Sequence, residues 1–268
     1  MTKIIEKQSW NAKTYHNHSS IQFEAAKKIL SQIVLSGQEQ ILDVGCGDGK
    51  ITAMIAGCVP HGNILGIDSS NRMVQYASET FENNKLNNIC FDLKDAETIE
   101  YKNQFDIIFS SFALHWLKDF GQFAKKAYQA LRWDGKIIFT IPLDMSPVLE
   151  RASQEISQSK KWDSYFQGFQ HPWRLSKTME YNQKIIEAGF DPEVIKKLIH
   201  RKLFASRDDF ENYVIQWHPY LCWVSSDKRQ EFFHDIVDRY LELEPSLSTE
   251  EVLFEFGQVD IIANKSVL

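Results

Sequence analysis

The residues that could do chemistry begin at Asp43-Val44-Gly45-Cys46-Gly47-Asp48-Gly49, three glycines at alternate positions with acids around them. The loop follows a short apolar run, Gln40 to Val44, and precedes a helix-spaced run, Ile51 to Cys58. At a strand-to-helix junction, glycine lets a ligand approach the backbone, and the first helical amides face it. Asp68 ends the next apolar run, Asn63 to Ile67, where a carboxylate can accept from both hydroxyls of a ribose. Loop, helix and second acid agree with a nucleoside site better than with a bare tight turn. A dinucleotide fingerprint would read G-x-G-x-x-G, but Lys50 stands at the third glycine's place. Asp43, two residues before Gly45, suits a diphosphate poorly and a cationic nucleoside well.

Other reactive residue types read more quietly. His16 and His18 flank Asn17, but a metal needs three or four ligands and no further cluster is visible, so exposed or capping roles are expected. The spacing of Cys46, Cys58, Cys90 and Cys222 gives no CxxC pair, so reduced thiols of a cytosolic protein are expected, without zinc. Histidine's ordinary pKa is near neutral, so His115 reads either as a general base or as a packing residue that orients the cofactor; the second is favoured. Trp116 is either core or functional. The aromatics of 162–173 and 210–223 read as core, with a substrate cage as the alternative. Glu242, Glu244, Glu250 and Glu251 read as solvated surface.

The elements that must position these residues alternate. Helical spacing covers 22–35, 51–58, 70–83 (capped by Ser69 or Ser70) and 120–131; strands are predicted at 40–44, 63–67, 88–91, 105–109 and 136–141, the last after the turn Trp133-Asp134-Gly135. Five alternations predict an α/β sheet of parallel strands with helices on both faces. After Pro142 and Pro147 the rhythm breaks. A helix from Ser176 to Ala188, closed by Gly189, and strands at 194–203 and 259–263 complete the sheet. The aromatic insertions 145–175 and 207–245 are expected to form a helical cap on a single domain. A net charge of −6 with no long Lys/Arg block argues against nucleic acid as an obligate partner. No apolar run is long enough to span a bilayer, and Met1 to Trp10 does not read as a signal peptide.

Ile41 to Gly49 resembles the first motif of the class I methyltransferases that use S-adenosyl-L-methionine (SAM). Asp68 matches that family's ribose-binding acid, Asp95-Ala96 its adenine-contacting pair, and Phe105 to Ser111 its fourth motif. Leu131-Arg132-Trp133-Asp134-Gly135-Lys136 resembles the family's L-x-P-G-G turn, with Trp133 in place of proline and Asp134 in place of glycine. Ala113-Leu114-His115-Trp116-Leu117, Trp10 to Tyr15 and Gln22 are similar to segments of the trans-aconitate, malonyl-carrier and juvenile hormone acid methyltransferases, which methylate carboxylates. The resemblance implies a Rossmann-like, seven-stranded, mostly parallel sheet. It implies SAM contacts from Tyr15, Asp43, Gly45, Cys46, Gly47, Gly49, Asp68, Ser69, Met73, Asp95, Ala96 and Ser111. Gln22, His115 and Trp116 would form the catalytic group, with Gln22 and Trp116 against the acceptor's carboxylate. The expected partner is a small carboxylic acid, and the expected state a monomer or homodimer. N- or C-methylation, or SAM binding without catalysis, are the alternatives.

Overall fold

The computed structural model describes residues 12–82, 86–173, 178–244 and 251–265. Trp10, Asn11, Ser176 and Glu250 lie outside them. The chain divides into two compact units. One comprises Trp10–Leu143, Arg174–Leu198 and Gln258–Leu268; the other contains Asp144–Trp173 and Ile199–Gly257, and so holds nearly all of both aromatic insertions.

The first unit is built on β1 (Gln40–Val44), β2 (Asn63–Asp68), β3 (Ile89–Leu93), β4 (Phe105–Ser111) and β5 (Leu131–Asp144), with β6 (Phe190–Phe204) and β7 (Val252–Lys265) added late. The boundary between the units falls within β6 and β7 and before the last residue of β5. The seven strands lie in the order β3-β2-β1-β4-β5-β7-β6. Pairings β1–β2, β2–β3, β1–β4 and β4–β5 are parallel. The chain winds outward from β1 through β2 and β3, then returns to place β4 on β1's other side. Ligands of open α/β sheets bind at such a switch point, outside the carboxyl ends of the strands.

Strand alternation sends successive side chains to opposite faces. Leu42, Val44, Ile108, Ile137, Phe139, Val259 and Ile261 join one apolar cluster, with Phe120, Phe123, Ala124 and Ala127 of α5 (Phe120–Ala130) and Tyr181 and Ile185 of α7 (Thr178–Glu187). Ile41, Ile64, Ile107, Phe109, Ile138 and Ile262 join the other. There they meet Ala26 and Ile29 of α2 (Ser20–Leu30) and Ile55 and Ala56 of α3 (Lys50–Cys58). Each fully buried large apolar side chain contributes about 1.5–3 kcal/mol. Helices therefore cover both faces, as the sequence pattern implies.

Several boundaries differ from the expected ones. The 22–35 helix is α2, preceded by a separate α1 (Ala12–His18). The 70–83 helix is α4 (Asn71–Ala77), capped by Ser70, followed by a π-helical turn over Ser78–Glu82. The turn at Trp133-Asp134-Gly135 bulges out of β5: Phe105 to Ile107 spans two steps of β4 while Leu131 to Lys136 spans five of β5. Asp134 adopts φ 62° there. Asp tolerates left-handed geometry better than most residues, which accounts for its standing where the family pattern has glycine.

In the second unit, α6 (Pro147–Ser157) packs on α9 (Arg229–Leu243), with α8 (Arg207–Val214) alongside α9. Arg239 pairs with Glu155, and the Trp162 indole donates to Asp235 at 2.7 Å. Trp162, Trp173, Phe210, Tyr213 and Tyr220 are buried, so these aromatics form that unit's core. His218 is fully buried beside the Ser153 hydroxyl, and burial pushes its pKa down to about 3. No helix among the described residues is long and apolar enough to cross a membrane.

Candidate active site

The glycine loop closes β1 onto α3. Gly45, Gly47 and Gly49 take φ of 73°, 55° and 79°, where other residues are strained. Their neighbours differ. A Cβ on Gly45 would stand 2.2 Å from the Ala113 Cβ, and one on Gly49 2.7 Å from Phe91 Cζ and 2.8 Å from the Ala77 Cβ. At Gly47 the nearest atom would be Tyr15 Cε1, at 3.9 Å. Side chains at Gly45 and Gly49 would thus meet β3, α4 and the chain leaving β4. Only Gly47 has an open side, bordered by Tyr15.

The loop's amides decide which ligand charge fits. Gly45 and Cys46 donate to the Ile67 carbonyl at 2.8 and 3.0 Å, and Gly49 to the Cys46 carbonyl at 3.1 Å. Gly47 donates to Asp68 Oδ2 at 3.0 Å, and Lys50 to Asp48 Oδ1 at 3.3 Å. An anion cradle needs such N–H groups turned toward the ligand. Here they serve the protein, and three carboxylates gather instead. Asp43 is buried and accepts from the Thr52 hydroxyl at 2.6 Å. Burial pushes its pKa up to about 7, against the Thr52 hydrogen bond, and the charges of Asp68 and Asp48 add to the rise. Asp48, also buried, is raised chiefly by burial. The Cys46 thiol is raised by burial and by the same carboxylates, so it is no nucleophile. Such a site repels a diphosphate and is completed by a cation. The donor set fits SAM, which carries a sulfonium and an ammonium.

Asp68 is oriented by Gly47 on one oxygen and by the Ser70 amide on the other, at 2.8 Å. Ser69 is exposed beside it, while Met73 is buried, its amide 3.5 Å from the Ser70 hydroxyl. Asp95 caps the 3-10 turn Ala96–Thr98 by accepting from the Glu97 amide at 2.9 Å. The structure thus gathers Tyr15, Asp43, Cys46, Gly47, Asp68 and Met73 around the loop, and sets Asp95 and Ala96 at the exit of β3.

His16, expected to be exposed or capping, is corrected: its Nδ1 lies 2.7 Å from Asp48 Oδ2, and its ring neighbours Tyr76 and Phe81. The Lys50 ammonium reaches the His16 carbonyl at 3.4 Å. These contacts seat α1 on the glycine loop. They join positions more than thirty apart, and no local pattern announces such a pair. The side chain of His18 is not described.

The catalytic candidates border β4. Ser110 donates to the Val44 carbonyl at 2.7 Å, tying β4's end to β1's. Phe112 then takes φ 51°, a rare conformation for an aromatic residue, and donates its amide to the Thr140 carbonyl. This sharp exit leads into the 3-10 turn Leu114–Trp116. His115 is buried, and its ring lies 5.4 Å from that of half-buried Trp116. Gln22 comes from α2, which packs against β4; it is buried, and its Oε1 has no partner among the described residues. The buried hydroxyl of Ser111 has none either. Among the described residues no group of three or more His, Cys, Asp or Glu could hold a metal.

Comparison with known proteins agrees with this geometry. A family model described as a methyltransferase domain matches residues 35–191, more than half of the chain. Trans-aconitate 2-methyltransferase of Methylobacterium radiotolerans is 22% identical over 267 residues, covering 96% of this chain and 98% of the relative. Juvenile hormone acid O-methyltransferase of Bombyx mori is 23% identical over 245 residues, covering 87% of each. The fold is shared with phosphoethanolamine N-methyltransferase 2 of Haemonchus contortus, solved with S-adenosyl-L-methionine: TM-score 0.60, 18% identity, 96% of this chain and 57% of that one. The loop, its acids and the switch-point sheet are accounted for together: this chain belongs to the methyltransferase-domain family.

Proposed function

We propose that the protein transfers a methyl group from SAM to the carboxylate of a small acid. When bound, SAM supplies a methyl group already activated by its sulfonium. The chain's own residues bind, orient and exclude water. Asp68 holds the ribose, Asp95 and Ala96 the adenine, and the carboxylates around the loop favour the cation. A carboxylate's reference pKa lies near 4, so at neutral pH it needs no base. It needs donors that fix one oxygen while the other faces the methyl group. The Gln22 amide and the Trp116 indole are donors of that kind, and neither is a base at pH 7. His115 packs beside Trp116 and holds it in place.

The observation that carries this reading is Gln22, a buried amide whose Oε1 has no partner among the described residues. A polar group in that position is costly unless a ligand or a water completes it. An amide's oxygen and nitrogen exchange places by a half-turn, so the same side chain presents NH₂ to an acid. The names of the trans-aconitate and juvenile hormone acid relatives support an acid as acceptor. The test is turnover of a panel of carboxylic acids by Gln22→Ala and Trp116→Phe. Each should cut turnover tenfold or more while SAM affinity stays within about twofold, as expected when one hydrogen bond to a charged group is lost. Unchanged turnover in both would remove these residues from the site.

A further inference from the structure

We propose that the carboxyl end of the sheet, on its α2 face, carries a buried polar compartment of Ser111, Thr140, Gln258 and Asp260, bordered by Gln22, that binds an ammonium group of the acceptor. This rests on the reading of the protein as a carboxylate methyltransferase and names the acceptor more closely: an amino acid, methylated on its carboxylate.

Strand alternation places these residues. Ile107 and Phe109 of β4, Ile138 of β5 and Ile262 of β7 all belong to the apolar cluster under α2 and α3. Side chains two or four positions away point to the same face. Ser111, Thr140, Gln258 and Asp260 therefore join that face. Ser111 and Thr140 are register partners. Lys136 Nζ meets Asn264 Oδ1 at 2.7 Å, and Lys265 Nζ meets the Leu131 carbonyl at 2.7 Å, so β7 ends beside the start of β5. With β7 and β5 adjacent, β7 runs opposite to β5. Asp260, four steps back from Asn264, and Thr140, four forward from Lys136, therefore both lie toward the carboxyl end of β5 on this face. The α2 helix ends at Leu30 and leads to the start of β1, so Gln22, two turns earlier, lies toward the strands' carboxyl ends.

What these side chains share is unmet hydrogen-bonding capacity. Ser111 Oγ, Thr140 Oγ1, Gln258 Oε1 and Asp260 Oδ2 are buried atoms with no partner among the described residues. Thr140, Gln258 and Asp260 are at most 1% exposed. Elsewhere in native proteins such atoms are nearly always paired. The one bond inside the group runs from the Gln258 amide NH₂ to Asp260 Oδ1, which leaves oxygens facing inward. No ion pair reaches Asp260 among the described residues, and a buried carboxylate is costly without a cation. Carbonyl, carboxylate and hydroxyl oxygens are the ligands an ammonium seeks, since it has three donors and no acceptor. The relevant polarity is opposite to that of Trp116, which can only donate and so suits the acid end. An acceptor carrying both groups would satisfy both.

The experiment uses the full chain with S-adenosylhomocysteine and isothermal calorimetry on matched probes: β-alanine against propionate, 4-aminobutyrate against butyrate, and 5-aminovalerate against valerate. Methyl transfer from SAM to the same probes is measured in parallel. At least one amino acid should bind and react about tenfold or more better than its deaminated partner, as expected for a charge-assisted hydrogen bond. Asp260→Asn should erase that preference with SAM affinity unchanged, which separates the acceptor's ammonium from the cofactor's own. Thr140→Val, close to isosteric, should reduce it, and serves if the first variant does not fold. Equal binding of aminated and deaminated probes, or a preference that survives both variants, overturns the proposal and leaves water as the compartment's occupant. Amine-selective binding without ester formation would keep the compartment and refute carboxylate methylation. Ester formation without amine selectivity would do the reverse.

Discussion

Asp43, proposed to face the cofactor's cation, should couple cofactor binding to pH. It is buried beside two further carboxylates, and its pKa lies at about 7. At pH 7 about half of the chains carry a proton on Asp43; at pH 6 about nine tenths do, and at pH 8 about one tenth. A cation in the loop favours the ionised form and so drives the proton off. The sign follows: binding releases a proton, and affinity rises with pH. If the cation binds the ionised form alone, the apparent affinity scales with the ionised fraction, an increase of about tenfold between pH 6 and pH 8. Calorimetry in buffers of differing ionisation enthalpy reads both quantities. About half a proton should leave per SAM bound at pH 7. Asp43→Asn, which keeps the Thr52 contact and removes the charge, should flatten the pH profile. Affinity that is flat from pH 6 to 8 in the unmodified chain, or that falls as pH rises, would refute the electrostatic account of the loop.

Asp68→Ala should weaken SAM about tenfold or more by calorimetry, since a charge-assisted hydrogen bond contributes about 1.5–3 kcal/mol; unchanged binding would place the ribose elsewhere. At saturating SAM, turnover should be nearly flat from pH 6 to 9 if the acceptor is the proposed carboxylate, which needs no base, and Asp43 is then held ionised; a limb rising through neutral pH would point to His115 as a base. Residues 145–175 and 207–245 are proposed to respond to the acceptor, and hydrogen exchange in both should slow when SAM and acceptor are added together. Protection confined to the first half of the chain would leave these segments a structural role.

The sheet was legible because its strands alternate in a way that two apolar faces require. Gln40–Val44 stands in the structure as read, since a short, mostly apolar run stopped by glycine has few other solutions. Helix ends were less legible. The π-helical turn after Ala77 depends on how the chain meets β3, which no local propensity encodes. The glycine loop was recognised from its spacing, but the reason for two of its glycines was not: Ala113 and Phe91 come from distant segments, and only packing brings them there. The His16–Asp48 pair and the unpaired group at Thr140, Gln258 and Asp260 were invisible for the same reason. A polar residue in an apolar strand pattern reads as noise until its neighbours across the sheet are known.

The proposed accepting atom is a carboxylate oxygen. This is tested most directly by incubating the chain with methyl-labelled SAM and an acid panel, then treating the labelled product with mild alkali. The expected product is a base-labile methyl ester that releases its label as methanol. A labelled product that survives the treatment carries its methyl group on nitrogen, carbon or an ether oxygen, and would contradict the account.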